Sequence, residues 1–204
     1  MAPLLTNLRS EALDHCADLV TIYQDEIGLC LWTPPDCHLR NTYGEGLAKS
    51  GFHFQRIIEV ADFDYELSLL PDGEGVKAFR LWMKELVEMF ATLFGLDHVG
   101  FRISSSERPI CPKFHVDRVP VRLVHSLCGD GCQWIEDSEA DGNAKKMLEE
   151  ANKLGSYQVA NTQKAPSGAV VLMKGARWNE ETPPVVHRSP PHSEPRAVLT
   201  LDFA

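Results

Sequence analysis

The amino-acid sequence predicts an α+β protein in which N-terminal helices pack on one sheet of a β-sandwich or jelly-roll barrel. Apolar residues follow helical spacing up to residue 95, and many short strand-like segments follow from residue 96. The hydrophobic content of 44% is sufficient for a buried core. A length of 204 residues suits one domain, so we expect a single domain over 1–204, with a mainly helical part at 1–95 and a strand-rich part at 96–204.

The N-terminal part is predicted to contain two helices and a short strand. The first helix is expected over 11–27, where apolar residues recur every three or four positions. Cys16 belongs to that apolar stripe and is therefore expected in the core. The second helix is expected over 77–94, followed by Gly95 as a stop signal. Between the two helices, residues 57–60 are predicted to form a short strand.

The C-terminal part is predicted to consist of short strands separated by turns rich in Pro, Gly, Asn and Ser. One helix is expected among them, over 143–154. Many short strands with nonlocal pairing favour a sandwich or jelly-roll barrel. The predicted strands lie at 99–104, 114–117, 121–127, 157–162, 169–174, 185–189 and 197–203.

The charge balance argues against nucleic-acid and membrane-surface partners. Twenty Lys and Arg against 29 Asp and Glu give a net charge of −9, and the pI is about 5.3. A nucleic-acid binder would show a basic stripe, and a membrane-surface protein a polybasic segment. No apolar run approaches the roughly 20 residues that span a bilayer, and no secretory leader is visible. We expect a cytoplasmic protein with six reduced cysteines and neither a nucleic-acid nor a membrane partner.

The most informative segment is 111–120, which contains His115 and Asp117. In a strand, side chains two residues apart point to the same face. An imidazole nitrogen and a carboxylate oxygen can therefore share one metal ion there. A plain hydrogen bond between the two side chains is the alternative.

A second polar cluster follows near the C-terminus, where His187 comes after two β-branched residues and Arg196 opens the last predicted strand. Two histidines and one carboxylate form the facial triad of non-haem Fe(II) oxygenases. The planar guanidinium of Arg196 is suited to hold the far carboxylate of 2-oxoglutarate in two parallel hydrogen bonds. A structural salt bridge is the alternative role for Arg196.

The order His-x-Asp, His and Arg resembles the 2-oxoglutarate/Fe(II) dioxygenase superfamily. More closely, the chain is similar to a bacterial family of uncharacterised proteins, domain of unknown function 1826, in the blocks 111–124, 172–178, 187–190 and 196–202. The resemblance covers 96–204 well and the N-terminal part loosely. It implies a double-stranded β-helix (jelly-roll, cupin-like) barrel. Members are often found beside zinc-homeostasis genes, which implies a link to metals.

The sequence departs from the oxygenase pattern after Arg196. Oxygenases of this class often carry Ser or Thr two residues after the arginine, where this chain has Val198. Thr200 has the same strand parity and is the predicted partner of Arg196 in binding the cosubstrate.

Other side chains are predicted to surround the site. Arg122 could bind an anionic substrate or pair with a core carboxylate, and His125 could be a fourth ligand, an acid/base group or a core residue. Trp134 and Trp178 could wall the pocket or pack under the helices, and Cys111 could lie beside the metal or be a buried hydrophobe. The predicted neighbours of the site are therefore Arg122, His125, Trp134, Cys111 and Trp178.

These residues favour a metal-dependent oxygenase that uses 2-oxoglutarate on a small or peptidyl substrate. The predicted ligands are His115, Asp117 and His187, and the predicted metal is Fe(II), with zinc or another divalent ion as the alternative. Two other hypotheses keep the metal. One is a zinc-dependent hydrolase with His125 or Glu180 as general base, and the other is a non-catalytic sensor, buffer or delivery protein in zinc homeostasis.

Overall fold

The structure is a computed structural model that describes residues 8–136, 148–149, 151–152, 162–191 and 194–204. The helices whose bounds it gives are α1 (His38–Ser50), α2 (Phe63–Ser68) and α3 (Val76–Phe94), with 3-10 helices at Cys16–Tyr23 and Val60–Asp62. The strands are β1 (Arg9–Leu13), β2 (Ile27–Trp32), β3 (His53–Glu59), β4 (His98–Ser106), β5 (Val121–Cys128), β6 (Gln133–Ile135), β7 (Thr162–Lys164), β8 (Val170–Lys174), β9 (His187–Arg188) and β10 (Arg196–Phe203).

The strands form two sheets in a mixed α+β fold. The larger sheet has seven strands in the order β1-β2-β8-β5-β10-β4-β3, and the smaller has the order β7-β6-β9. β1 and β2 pair in parallel, and the other strand pairs are antiparallel. β10 lies between β5 and β4, so the chain end and two distant strands form the centre of the larger sheet.

One face of the larger sheet packs against the helices. The apolar stripe of α3 buries Phe79, Met83 and Phe90, as the helical period requires. Against it lie alternate strand residues such as Leu123 of β5 and Leu199 of β10. This contact forms the main hydrophobic core of the protein.

The other face of the larger sheet turns towards the smaller sheet. There, Val124 of β5 and Val198 of β10 pack with Trp134 and Cys132 in a second apolar cluster. Because side chains alternate along a strand, polar residues of matching parity such as Arg122 share this face. The functional side chains described below lie between the two sheets.

The predicted helix over 11–27 is wrong. The segment instead forms β1, the 3-10 helix Cys16–Tyr23 and the start of β2. The three-residue period of a 3-10 helix places apolar residues at nearly the spacing of an α-helix, so the apolar steps of three and four within 16–23 did not distinguish the two. Cys16, expected in the core, is exposed.

The structure agrees with the two other N-terminal predictions. The helix at 77–94 is confirmed as α3, and the short strand at 57–60 corresponds to the end of β3. α1 was not predicted, because its residues lack a clear apolar period. None of the helices in the described part of the chain is long and apolar enough to cross a bilayer.

The predicted C-terminal strands are confirmed at 99–104, 121–127, 169–174 and 197–203, as β4, β5, β8 and β10. The segment 185–189 contains only the two residues of β9, and 114–117 forms a single β-bridge rather than a strand. The helix expected at 143–154 and the strand expected at 157–162 lie largely outside the described residues.

Candidate metal centre

His115 and His187 are brought together by a backbone bridge. Each backbone N–H donates to the other residue's carbonyl oxygen, and both N···O distances are 2.9 Å. Directly opposed residues in an antiparallel pair present their side chains on the same face. The two imidazole rings accordingly lie with centroids 4.4 Å apart.

Asp117 completes the cluster. Its Oδ2 lies 3.2 Å from His187 Nε2, and its Oδ1 lies 3.7 Å from His115 Nε2. One ligand atom from each of the three residues falls within 4.8 Å of the others. Asp117 and His187 are buried, and the His115 side chain is 32% exposed.

The backbone fixes the tautomer of both histidines. His115 Nδ1 lies 3.0 Å from the carbonyl oxygen of Lys113, and His187 Nδ1 lies 3.2 Å from that of Val185. A carbonyl oxygen can only accept, so each neutral ring carries its proton on Nδ1. Each Nε2 then keeps a lone pair directed at the cluster, which is how metal-binding histidines are usually oriented.

Among the described residues, only one carboxylate oxygen of Asp117 has a hydrogen-bond partner. Oδ1 accepts a hydrogen bond from Arg122 Nη1 at 2.6 Å, while the buried Oδ2 has no hydrogen-bond partner among the described residues. Burial raises the pKa of Asp117, but His187 and Arg122 lower it by more, to about 2. Two imidazole nitrogens and one carboxylate oxygen therefore converge, a donor set that fits Fe(II) or Zn²⁺.

Arg122 connects Asp117 to the last strand. Its Nε and Nη2 donate to the two carboxylate oxygens of Asp202, at 2.5 and 2.8 Å, and its Nη1 holds Asp117. Of the two roles considered for Arg122, the structure shows the pairing with carboxylates. This pairing holds the Asp117 side chain in one orientation.

The backbone of Asp117 is held by the turn that follows β8. Ala176 N–H donates to the Asp117 carbonyl, and Gly175 N–H donates to that of Pro120, both at 2.8 Å. A Cβ atom on Gly175 would lie 2.2 Å from the carbonyl oxygen of Val119 and 2.9 Å from that of Asp117. Only glycine allows this close approach, so Gly175 helps to position the carboxylate.

Arg196 lies in the same pocket, 3% exposed. Its guanidinium donates to the carbonyl oxygen of Asp130 at 2.6 Å and to the hydroxyls of Ser126 and Ser189 at 3.2 and 3.5 Å. None of these partners is charged, and no carboxylate of the described residues is within ion-pair distance. A buried cation without a counterion is unfavourable, so this arrangement favours an anionic ligand.

The pocket between the sheets holds about 520 Å³, counted out to its open mouth. Its walls include both histidines, Arg196 and the predicted cosubstrate residue Thr200. Thr200 lies four residues beyond Arg196 on the same face of β10, as its parity predicted. Thr200 Oγ1 accepts a hydrogen bond from Arg102 Nε at 3.1 Å rather than from Arg196.

His125 lies on the opposite face of the larger sheet, which rules it out as a ligand of this cluster. Its Nε2 accepts a hydrogen bond from the indole of Trp82 at 3.0 Å, and its Nδ1 lies 3.1 Å from the carbonyl oxygen of Ala169. Arg122 and Val124 face the pocket, and the alternation of β5 turns His125 towards α3. The alternative of a satisfied core histidine is the observed one.

Trp178 and Trp134 also lie away from the pocket walls. Trp178 packs against Tyr23 and Phe94 at the edge of the helical core, so its predicted place at the site is wrong. Trp134 pairs with His187 through the backbone of β6 but buries its ring in the second apolar cluster. For both residues, packing is the role that the structure shows.

Cys111 lies beside the cluster, exposed at the pocket rim. Hydrogen bonding to His115 lowers its pKa. The alternative interpretation of Cys111, a buried hydrophobic residue, is therefore wrong. Sequence reasoning missed Ser126 and Ser189, which hold Arg196. For Ser126, the parity of β5 was the available signal.

Burial of His125 makes stability depend on pH. Burial lowers its pKa from 6.5 to about 4, so protonation favours the unfolded chain. As pH falls from 6.5 to 4, we expect this group to remove roughly 3 kcal/mol from the free energy of unfolding. Urea unfolding of metal-free wild type and His125→Gln at pH 7, 5.5 and 4.5 measures it. The wild-type advantage should shrink with falling pH, and parallel curves would contradict this.

The chain is similar to known proteins in sequence and in fold. It matches the model of the family described as "Protein of unknown function (DUF1826)" over residues 13–202, and no curated protein matches it. It is similar to the rice dioxygenase for auxin oxidation, with 14% identity, a TM-score of 0.51 and coverage of 96% of this chain and 82% of that one. It is also similar to a Pseudomonas putida prolyl-4-hydroxylase, with 13% identity, a TM-score of 0.51 and coverage of 92% and 97%. The chain thus shares the fold of these two enzymes and belongs to the DUF1826 family.

Proposed function

We propose that this protein is an Fe(II)- and 2-oxoglutarate-dependent oxygenase. The observation that carries the proposal is a single pocket that joins two kinds of group. One is the His115, Asp117 and His187 cluster, with its unsatisfied buried oxygen. The other is the buried Arg196, without a charged partner among the described residues. A metal ion and a dicarboxylate would satisfy both.

In this proposal the larger and smaller sheets are the two halves of a jelly-roll, double-stranded β-helix barrel, and the pocket is its mouth. Fe(II) held by the triad would supply the electron-transfer chemistry by which dioxygen oxidises a C–H bond. The overall reaction is R–H + 2-oxoglutarate + O₂ → R–OH + succinate + CO₂.

Each side chain of the candidate site has a distinct role in this proposal. His115 and His187 offer Nε2 while their Nδ1 protons stay on backbone carbonyls. Asp117 offers Oδ2 while Arg122 retains Oδ1. Arg196 binds the far carboxylate of 2-oxoglutarate with the fork of its guanidinium, which the hydroxyls of Ser126 and Ser189 orient.

Replacing Arg196 with glutamine is expected to weaken 2-oxoglutarate binding by about 30-fold or more, because losing a buried charge partner costs 2 kcal/mol or above. Metal affinity should stay within a factor of about two. Isothermal titration of the anaerobic, Fe(II)-loaded protein with 2-oxoglutarate measures the effect. Arg56→Gln is the matched control, because Arg56 is an exposed arginine on β3. Equal affinities in wild type and Arg196→Gln would contradict the assigned role.

The proposed function itself is tested by two measurements on the wild type. We expect 2-oxoglutarate to bind the Fe(II)-loaded protein anaerobically and give a visible charge-transfer band, and succinate to form when O₂ is admitted. A protein that binds metal but gives neither result would contradict the proposed function and leave the two other metal-binding hypotheses. The zinc-hydrolase alternative has less support, because neither proposed general base reaches the pocket. The ring nitrogens of His125 are committed on the opposite face of the sheet, and Glu180 is exposed and does not line the pocket.

A further inference from the structure

We propose that the primary substrate carries an anionic group, a carboxylate or a phosphate, and that Arg102 binds it. This inference rests on the proposed function, because it assigns the second anion-binding position of the same pocket. It names the chemical class of the substrate, a small acid, and assigns its specificity to one side chain.

Arg102 lies on β4, in register with Thr200 of β10. It lines the same pocket as His115, His187 and Arg196. Its Nε donates to Thr200 Oγ1 at 3.1 Å, which fixes the plane of the guanidinium. The two terminal nitrogens make no hydrogen bond to a described residue, so they are available to a ligand.

Arg196 and Arg102 lie at different levels along β10. Arg196 begins the strand and Thr200, which marks the position of Arg102, is four residues further on. At about 3.3 Å per residue, the two strand positions are roughly 13 Å apart. One small dicarboxylate held by Arg196 at the buried end leaves the Arg102 end for a second molecule.

The charges of the pocket support a second anion. Apart from Arg188, a divalent metal and the cations Arg122 and Arg196 give four positive charges, and Asp117, Asp202 and the 2-oxoglutarate dianion give four negative ones. Arg102 then remains uncompensated, since no carboxylate of the described residues lies within 4 Å of it. A half-buried guanidinium without a counterion is unfavourable, and an anionic substrate would remove that cost.

Arg188 is a less suitable candidate for this role. It also lines the pocket, but its guanidinium stacks on the Phe114 ring at 4.2 Å, and its Nε donates to Gln133 Oε1 at 2.8 Å. Its charge adds to the positive potential that attracts anions. Its contacts direct it towards the protein rather than the pocket.

Arg102 also lies where a substrate can arrive. It lines a surface groove over β3 and β4, together with His53, Gln55 and Ile57. The same side chain therefore borders both the groove and the metal pocket. An acid that approaches along this groove would meet the guanidinium of Arg102 before the metal cluster.

The test uses anaerobic protein loaded with Fe(II) and saturated with 2-oxoglutarate. The probes are matched acid and neutral pairs: benzoate and benzamide, N-acetylglycine and its amide, phenyl phosphate and phenol. Equilibrium dialysis measures their binding. We expect at least one acid to bind about tenfold or more tightly than its neutral partner, and Arg102→Gln to remove that preference.

Three further variants keep the result interpretable. Arg102→Lys should retain part of the preference, and Arg56→Gln, a control in the same groove, should retain all of it. Thr200→Val should weaken it without removing the charge. Arg102→Gln should also leave 2-oxoglutarate affinity within about twofold. Equal binding of acids and neutral partners by wild type, or a preference that survives Arg102→Gln, would overturn the proposal.

The two proposals can fail separately. If wild type binds no 2-oxoglutarate and forms no succinate, the proposed function fails. The same probe pairs are then measured on the protein loaded with metal alone. An acid preference that depends on Arg102 would retain the anion site, and its absence would reject that site as well.

Discussion

Replacing His187 with alanine is expected to lower metal affinity by at least about 100-fold, since even the groups that orient a ligand commonly contribute 10–100-fold. His187 is buried, and its Nε2 lies 3.2 Å from the unsatisfied oxygen of Asp117. Its removal leaves one histidine and one carboxylate, too few to hold a divalent ion firmly. Anaerobic titration with Fe(II), and separately with Zn²⁺, measures the loss.

His98→Ala is the matched control, because His98 is an exposed histidine at the start of β4. It should bind metal as wild type does. Circular dichroism of both variants without metal checks that each remains folded. Undiminished metal binding by a folded His187→Ala protein would exclude the three-residue cluster as the metal centre.

Replacing Arg122 with leucine is expected to lower the free energy of unfolding by about 3 kcal/mol, because removing one member of a buried ion pair strands the others. Arg122 is the shared cation of Asp117 and Asp202, and its side chain is only 18% exposed. Asp117 and Asp202 would then both lose the cation that they share. Urea unfolding of the metal-free protein at neutral pH measures the change.

Lys84→Ala is the comparison variant, because Lys84 pairs with Asp64 at 3.0 Å on the surface of the protein. Exposed ion pairs contribute little, so this variant should unfold close to the wild-type midpoint. A stability of Arg122→Leu equal to that of Lys84→Ala would show that the Asp117–Arg122–Asp202 arrangement does not support the fold.

The parts of the fold that local patterns predicted were those with one clear period. α3 was correct because one stripe of large apolar side chains repeats through five turns, and β10 because an apolar alternation runs to the chain end. The segment 11–27 was misread, because its middle part, Cys16–Tyr23, is a 3-10 helix whose three-residue period resembles that of an α-helix. The pairing of β1 with β2, which makes residues 11–13 part of a strand, is a property of the sheet and not of the local sequence.

Part of the candidate site could likewise be predicted from the sequence, and part of it could not. The spacing of His115 and Asp117, and the order in which His187 and Arg196 follow, could be found in the sequence because residue type and parity are local properties. His125 could not be assigned, because parity says which residues share a face and not which face is turned to the helices. The partner of Arg122, Asp202, lies 80 residues away and depends on the pairing of β5 with β10.

By itself, the sequence identified the candidate metal ligands and the candidate carboxylate-binding arginine, and which of these residues share one side of a strand. Tertiary structure alone decided that the His115–His187 bridge closes the triad, that Arg196 and Arg102 remain without a described carboxylate partner, and that His125 belongs to the core. The physical reason is that alternation along a strand is a local property. Burial and ion pairing, by contrast, depend on which distant strands become neighbours.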